Sequence, residues 1–224
     1  MSVIEVRGHS PGPCAMPDLP PRIFVVDDDV SVRESLEALL RHEGWQPETF
    51  GSAQDFLSRA QMSGPGCLIL DINLPDLNGL ELQERLASER VAMPIIFITG
   101  YGDIPMTVRA MKAGAVEFLT KPFTDEMLLE GIRGAIAKSK ATFAAEVQKR
   151  DLRERFASLS TREREVMALI VRGLLNKQVG GELGISEITV KAHRGKVMQK
   201  MQARSFASLV NMAAELGIQT ASKA

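Results

Sequence analysis

Cys67-Leu68-Ile69-Leu70-Asp71 is four apolar residues closed by an aspartate. A short unbroken apolar run suits a strand buried on both faces, the pattern of a parallel sheet with helices on either side. Two more runs have the same form, and a third, broken by Glu117, closes in the same way. Ile23-Phe24-Val25-Val26 ends in Asp27-Asp28-Asp29, Ile95-Ile96-Phe97-Ile98 ends in Thr99, and Val116-Glu117-Phe118-Leu119-Thr120 ends in Lys121. Strands are expected over 22–27, 46–49, 66–71, 94–99 and 116–120, with amphipathic helices over 30–43, 52–61, 79–89, 103–113 and 124–137. Five strand–helix units make a small doubly wound α/β domain, whose ligand chemistry gathers at the carboxyl ends of its strands. An aspartate after a strand is commonly just a cap or turn residue. Four polar groups closing four strands in order say more: they should converge.

The pattern changes further along. From about 138 to 155 there is no Gly or Pro, and Ala, Glu, Lys and Arg dominate, so 138–158 reads as a helical linker. Leu152, Phe156 and Leu159 form a short apolar stripe on it. Beyond Leu159 the strand signal disappears. Ser160 with Glu163 makes a capping box, Gly173 ends that helix, and Asn176 can cap the next over 177–183 before Gly184. Ser186 caps a helix to about Met201, and Ser205 starts a last one to about Leu216. The expected architecture is α/β plus all-α: a tail over 1–21, a five-stranded domain over 22–137, the linker, and a four-helix module over 159–224.

Composition narrows the function. No apolar stretch approaches the roughly 20 residues that cross a bilayer, so no membrane partner is expected. The first twenty residues hold four prolines and no apolar core, which suits a disordered tail or a mistaken start site better than a secretory signal. Cys14 and Cys67 are unsuited to pairing, and a reducing cytoplasm is the simpler inference. Residues 1–136 carry 11 Lys/Arg against 20 Asp/Glu, whereas the last 88 residues have a balance of +8. Such asymmetry points the C-terminal part at a polyanion.

The converging strand ends suit a phosphoryl-accepting carboxylate. Such a group needs a divalent ion, Mg2+ (or Mn2+), which favours a few carboxylates and several waters. Asp28 and Asp71 can each supply an oxygen, Asn73 its backbone carbonyl, and Asp27 can act through a bound water. Once Asp71 carries a phosphoryl group, Lys121 can pair with one new oxygen and the Thr99 hydroxyl can swing in to another. The space behind Thr99 then admits an aromatic ring, for which Phe118 is the candidate. Asn73 and Tyr101 lie where side chains can shield or admit the water that ends this state.

Residues 22–137 resemble the receiver domain of two-component response regulators in Asp27/Asp28, Asp71, Thr99 and Lys121. The stretch ITGYGDIPMTVRAMKAGAVEFLTKPF (98–123) is similar to the FixJ-type branch. That resemblance implies a cis Lys121-Pro122 bond and a dimer face on residues 103–120.

In the C-terminal part, helix 177–183, a short turn and helix 187–201 have the spacing of a helix-turn-helix, whose second helix enters the major groove. At about 100° per residue, Val190, Val197 and Met201 share the side that should meet the core. The other side carries Ile188, Ala192, Gly195 and Gln199, flanked by Lys191, Lys196 and Thr189. Ile188 and Ala192 can touch thymine methyl groups, and Gln199 or Lys191 can reach a base or phosphate. Lys177, Arg194, Lys196 and Lys200 are expected mainly on phosphates. His193 projects toward the edge of the core. Residues 159–201 resemble the LuxR/GerE-type DNA-binding domain. Gly180-Gly181 departs from its usual Ala-containing pair, at up to roughly 1 kcal/mol per Gly. Gly195 stands where some relatives carry Lys, which leaves Lys191 the better base-contact candidate.

The function expected is a response-regulator transcription factor, not an enzyme. A sensor histidine kinase phosphorylates Asp71, the receiver dimerises, and two C-terminal modules bind double-stranded promoter DNA in the cytoplasm. Two other classes stay open: a phospho-dependent protein-binding adaptor, and a metal-dependent phosphatase, for which Asn73 stands where a general acid is needed.

Overall fold

The computed structural model describes residues 20–60, 64–89, 91 and 93–218. The tail expected over 1–21 lies outside them except for Pro20 and Pro21, as does Cys14. The chain divides after Ala144 into two compact units.

The first unit alternates β1 (Arg22–Val26), α1 (Val30–His42), β2 (Pro47–Phe50), α2 (Ala53–Arg59), β3 (Gly66–Asp71), α3 (Gly79–Ser88), β4 (Ile95–Thr99), α4 (Ile104–Lys112) and β5 (Glu117–Thr120), then enters α5 (Asp125–Ala157). All pairings are parallel, in the order β2-β1-β3-β4-β5. Strand alternation divides the apolar runs between two cores. Phe24, Val26, Leu68, Leu70 and Phe97 pack with Phe56, Leu82, Leu86 and Ala110 on the side of α2, α3 and α4. Ile23, Val25, Cys67, Ile69, Ile96 and Ile98 pack with Leu36, Leu40, Leu128 and Ile132 on the side of α1 and α5. Burial pushes the Cys67 thiol up to about 12, so it behaves as a small hydrophobe.

The end of α5 joins α6 (Thr161–Val171), α7 (Asn176–Leu183), α8 (Glu187–Lys200) and α9 (Phe206–Glu215) in the second unit. Val166, Met167, Ile170, Val179, Val190, Val197, Met201 and Leu209 form its core. The capping box of α6 is present: Ser160 Oγ accepts from the Glu163 N–H at 3.3 Å, and Glu163 Oε2 from the Ser160 N–H at 2.8 Å. Asn176 does not cap α7. The N-cap is Leu175, and Gln178 reaches back to its N–H at 2.8 Å.

Residues 138–157, within the helical linker expected over 138–158, are helical and continue α5. Nothing in 138–157 interrupts a helical backbone, and each part of α5 is anchored in its own unit. Ser139 is buried and its hydroxyl accepts from the Gly66 N–H at 3.0 Å. Leu152 belongs to the core of the second unit, with Phe156 packed against it.

Gly180 is not the simple weakness its propensity suggests. A Cβ there would lie 2.8 Å from the Ile185 carbonyl oxygen, whereas one at Gly181 would meet nothing within 4 Å. Gly180 lets the turn close onto α7, where its own carbonyl accepts from the Ile185 N–H at 3.0 Å. Gly181→Ala should therefore stabilise this unit by about 1 kcal/mol. Gly180→Ala should destabilise it by about 1–3 kcal/mol through backbone displacement. Urea unfolding followed by circular dichroism checks both, and equal effects would contradict the packing argument.

Candidate functional sites: a carboxylate pocket and a nucleic-acid interface

The sheet delivers Asp27, Asp71, Thr99 and Lys121 to its carboxyl edge, as their strand-end positions require. Asp71 is 5% exposed, and its Oδ2 accepts from the Asn73 N–H at 3.0 Å. Burial lifts its carboxyl above the ordinary aspartate range; Lys121 opposes the rise, while Asp27 and Asp28 add to it. Gly79, next to the N-cap Asn78, permits the close return of the following loop: a Cβ there would lie 2.6 Å from the Asp71 carbonyl oxygen.

Lys121 is committed elsewhere. Its Nζ lies 2.7 Å from Asp27 Oδ2 and 3.6 Å from Asp71 Oδ1. Asp27 is 1% exposed; its Oδ1 accepts from the Asp29 N–H at 2.9 Å, and its backbone carbonyl accepts from Arg33 Nη1 at 2.6 Å. The Asp27 carboxylate is thus a structural partner of Lys121 in this state.

The Thr99 hydroxyl is fully buried and turned to the β4–α4 loop. It accepts from the Tyr101 N–H at 3.2 Å and donates to the Tyr101 carbonyl at 3.3 Å, with Asn73 Nδ2 at 3.5 Å. The Phe118 ring packs on Phe97 at 6.2 Å between centroids and lies beside Gly102 in the same loop. Thr99 and Phe118 therefore touch one segment, residues 101–102. The Lys121-Pro122 bond is cis.

Two contacts escaped the sequence reading. Arg33 braces the Asp27 carbonyl from α1. Asp76 accepts from the Ala53 and Gln54 N–H groups at 3.2 and 2.8 Å, joining Ser52 in capping α2. Desolvation works against the Asp76 carboxylate, but these donors hold it below the ordinary range. Neither contact has a local signal, since both partners lie in other elements.

The donor set suits a small hard cation. Asp28 is exposed at the rim and Asp71 sits below it, with the Asn73 backbone following. Magnesium takes one or two carboxylates and keeps several waters, which Asp28 and Asp71 would satisfy. Burial, with the like charges of Asp27 and Asp28 behind it, raises the Asp71 carboxyl, and a cation bound there would relieve that cost.

In the second unit, Val190, Val197 and Met201 are fully buried, as the projection of α8 requires. Ile188 is 80% exposed, and Ala192, Gly195, Lys196 and Gln199 are also exposed. Lys191 makes only an exposed pair with Glu187 at 3.1 Å, Lys177 is exposed, and Thr189 shares a 2.8 Å hydrogen bond with Ser186. His193 is half-buried. Two residues expected on phosphates have inward partners instead. Arg194 lies over the Phe206 ring at 5.1 Å and reaches Asn176 Oδ1 at 3.4 Å. Lys200 binds Glu163 at 2.7 Å and the Ser158 carbonyl at 3.2 Å.

A parallel sheet with an acid–threonine–lysine edge, followed by a helix-turn-helix, defines a phosphorelay receiver coupled to a DNA-binding module. Residues 23–133 match the response regulator receiver domain, and residues 157–213 match the bacterial regulatory proteins of the luxR family. The chain belongs to the two-component response regulators with a LuxR-type DNA-binding domain. It is 50% identical over 196 residues to Nodulation protein W of Bradyrhizobium diazoefficiens, covering 88% of this chain and 86% of that one. It is 40% identical over 209 residues to the transcriptional regulatory protein FixJ of Azorhizobium caulinodans, covering 93% and 99%. Among solved structures, the response regulator StyR aligns with a TM-score of 0.82 at 49% identity, covering 88% of this chain and 100% of that one. Full-length FixJ from B. japonicum aligns at 0.53 and 40% identity, covering 89% and 98%. The protein is therefore a transcription regulator of this family and not an enzyme, which removes the phosphatase reading. The luxR-type domain likewise displaces the adaptor reading. No helix among the described residues is long and apolar enough to cross a membrane.

Proposed function

We propose that Asp71 is the phosphoacceptor of a cytoplasmic sensor–regulator pair, and that its phosphorylation drives homodimerisation and promoter binding. A carboxylate oxygen of Asp71 attacks the phosphorus of a kinase phosphohistidine. An O–P bond forms, the P–N bond breaks, and the imidazole leaves, to be protonated by solvent. Asp28, Asp71 and the Asn73 carbonyl would hold a magnesium ion, with Asp27 reaching it through a water; when bound, the ion would screen the phosphoryl oxygens from the site's carboxylates.

The observation that carries this reading is the position of Lys121, bonded to Asp27 yet 3.6 Å from Asp71. An arriving charge of about −1.5 to −2 draws Nζ onto a phosphoryl oxygen with little movement. Thr99 then exchanges its bonds to Tyr101 for a phosphoryl oxygen. The β4–α4 loop is released, and Phe118 follows inward. Asn73 and Tyr101, both beside Thr99, govern access of water to the phosphoryl group.

The dimer face expected over 103–120 has a matching surface. Ile104, Val108 and Met111 recur along one stripe of α4 and are 80%, 44% and 43% exposed. On DNA, Ile188 and Ala192 meet thymine methyls and Gly195 allows close approach. Lys191 and Gln199 read a base or phosphate, while Thr189, Lys177 and Lys196 hold the backbone. Light scattering behind size exclusion tests the switch: beryllofluoride with magnesium should convert a monomer to a dimer, and Ile104→Glu should block this. A wild-type chain that stays monomeric with the adduct bound would refute the dimer step.

A further inference from the structure

Five basic residues belong to the recognition helix or sit opposite it, and they are not equivalent. Lys191 pairs with Glu187 across solvent, both side chains being 62% and 46% exposed. Such an exposed pair is weak and is easily given up for a phosphate. Lys196 makes no ion pair among the described residues, and Lys177 is exposed. Lys200 differs. Its acceptor Glu163 keeps only 4% of its side chain exposed, and the same Oε2 that binds Lys200 also caps the Ser160 N–H. The carboxylate is therefore fixed at the start of α6. The Lys200 side chain keeps 38% exposure, so water offsets part of the loss, but withdrawing the ammonium would leave the buried carboxylate without its counter-charge. The Ser158 carbonyl takes a second Nζ proton at 3.2 Å.

We infer that Lys200 is a positioning residue: it locks the C-terminal end of α8 to the cap of α6 and sets where the recognition helix lies, instead of neutralising a DNA phosphate. This rests on the DNA-binding reading of α8 above. Met201, the next residue, is fully buried, so the lock stands where the helix leaves the core. Arg194 supplies a second fixing point nearer the middle, through Asn176 and the face of Phe206. The helix is held at two points; Lys196 and Lys177 are left for phosphates, and Lys191 for a base or phosphate. Lysine suits this place for another reason: a cation at a helix C-terminus complements the helix dipole.

The two roles for Lys200 predict opposite results. The probes are a duplex selected from a random pool by the full-length protein and a scrambled duplex of equal length. Anisotropy is measured across a salt series, with beryllofluoride and magnesium, at a temperature where circular dichroism shows every variant folded. For a positioning role, Lys200→Met lowers the ratio of selected to scrambled affinity about tenfold, the scale of one misplaced base contact. Its salt slope is unchanged, whereas Lys196→Met lowers the slope by about one. Glu163→Gln weakens selective binding in the same direction, and Lys200→Arg recovers most of the ratio. A purely structural role would leave the ratio of the folded protein untouched. For a phosphate contact, Lys200→Met lowers the slope by about one, and Glu163→Gln strengthens binding by freeing the ammonium. Either the untouched ratio or this last pattern overturns the inference. If Lys200→Met fails to fold, Glu163→Gln still separates the roles by sign, weakening selective binding for a positioning role and strengthening binding for a phosphate contact. A wild-type chain with no salt-dependent affinity for either duplex overturns the DNA-binding reading itself and this inference with it.

Discussion

Asp71→Asn should melt higher than the wild-type chain at pH 7 in a chelating buffer, while losing all response to beryllofluoride. Both effects follow from one placement. Asp71 is buried beside Asp27 and Asp28, and its carboxyl is held above the ordinary value of 3.8. A carboxyl whose folded pKa exceeds its unfolded one favours the fold most when both states are protonated, and loses that advantage as pH rises through the folded value. The native carboxylate is therefore a cost at neutral pH, and a neutral amide removes it. The melting difference should close as pH falls below the unfolded value. Saturating magnesium should narrow it from the other side, because a ligand of the native state stabilises the wild-type chain alone. The functional arm runs the opposite way. With beryllofluoride and magnesium the wild-type chain should bind its DNA about tenfold to a hundredfold more tightly, the usual range of coupling between two sites. Asp71→Asn should show no change. Calorimetry from pH 3 to 8 and an anisotropy titration give the two readouts. A variant that melts lower at pH 7 would mean that the Asp71 charge is already satisfied in the native state. A variant that still responds to the adduct would remove Asp71 from the switch.

How much of this was legible in the sequence depended on whether the signal was local. The strands were, because a sheet covered on both faces leaves unbroken apolar runs, and the polar residue closing each run lands at the carboxyl edge. Thr99 and Lys121 could be placed beside Asp71 on that ground alone. The inward face of α8 was legible for the same reason: Val190, Val197 and Met201 follow the helical period and are buried. Partner choice was not legible. Lys121 reads from sequence as a phosphate ligand in waiting, and only the fold reveals its hold on Asp27. Lys200 and Arg194 read as two more cations on a basic helix, and Glu163 and Phe206, which claim them, come from other helices. Asp76 and Arg33 are tertiary contacts with no periodic trace. The helical linker was half legible: propensity gave the helix, but not its anchors, since Ser139 accepts from Gly66 and Leu152 joins the core of the second unit.

Lys121→Met should cost the receiver about 2–3 kcal/mol and also disable the switch. Asp27 is 1% exposed, and its Oδ2 has Lys121 Nζ at 2.7 Å. Methionine fills the same volume but leaves a buried carboxylate with, among the described residues, only the Asp29 N–H on its other oxygen. Breaking a buried pair from one side commonly costs about 3–5 kcal/mol. The lower figure applies here because the Lys121 side chain keeps 27% exposure, so water can partly replace it. Most of the loss should return in Asp27→Asn/Lys121→Met, which removes the stranded charge and keeps an acceptor for the Asp29 N–H. The switch should not return. The double variant still lacks a cation for the phosphoryl oxygens, and beryllofluoride should leave it monomeric. Urea unfolding of both single variants and the double variant gives the coupling between the residues, and light scattering gives the switching. Recovered stability without recovered dimerisation would separate the two uses of this lysine. Equal stability of Lys121→Met and the wild-type chain would mean that Asp27 finds water in the native state, and the exchange of Lys121 between two carboxylates would lose its basis.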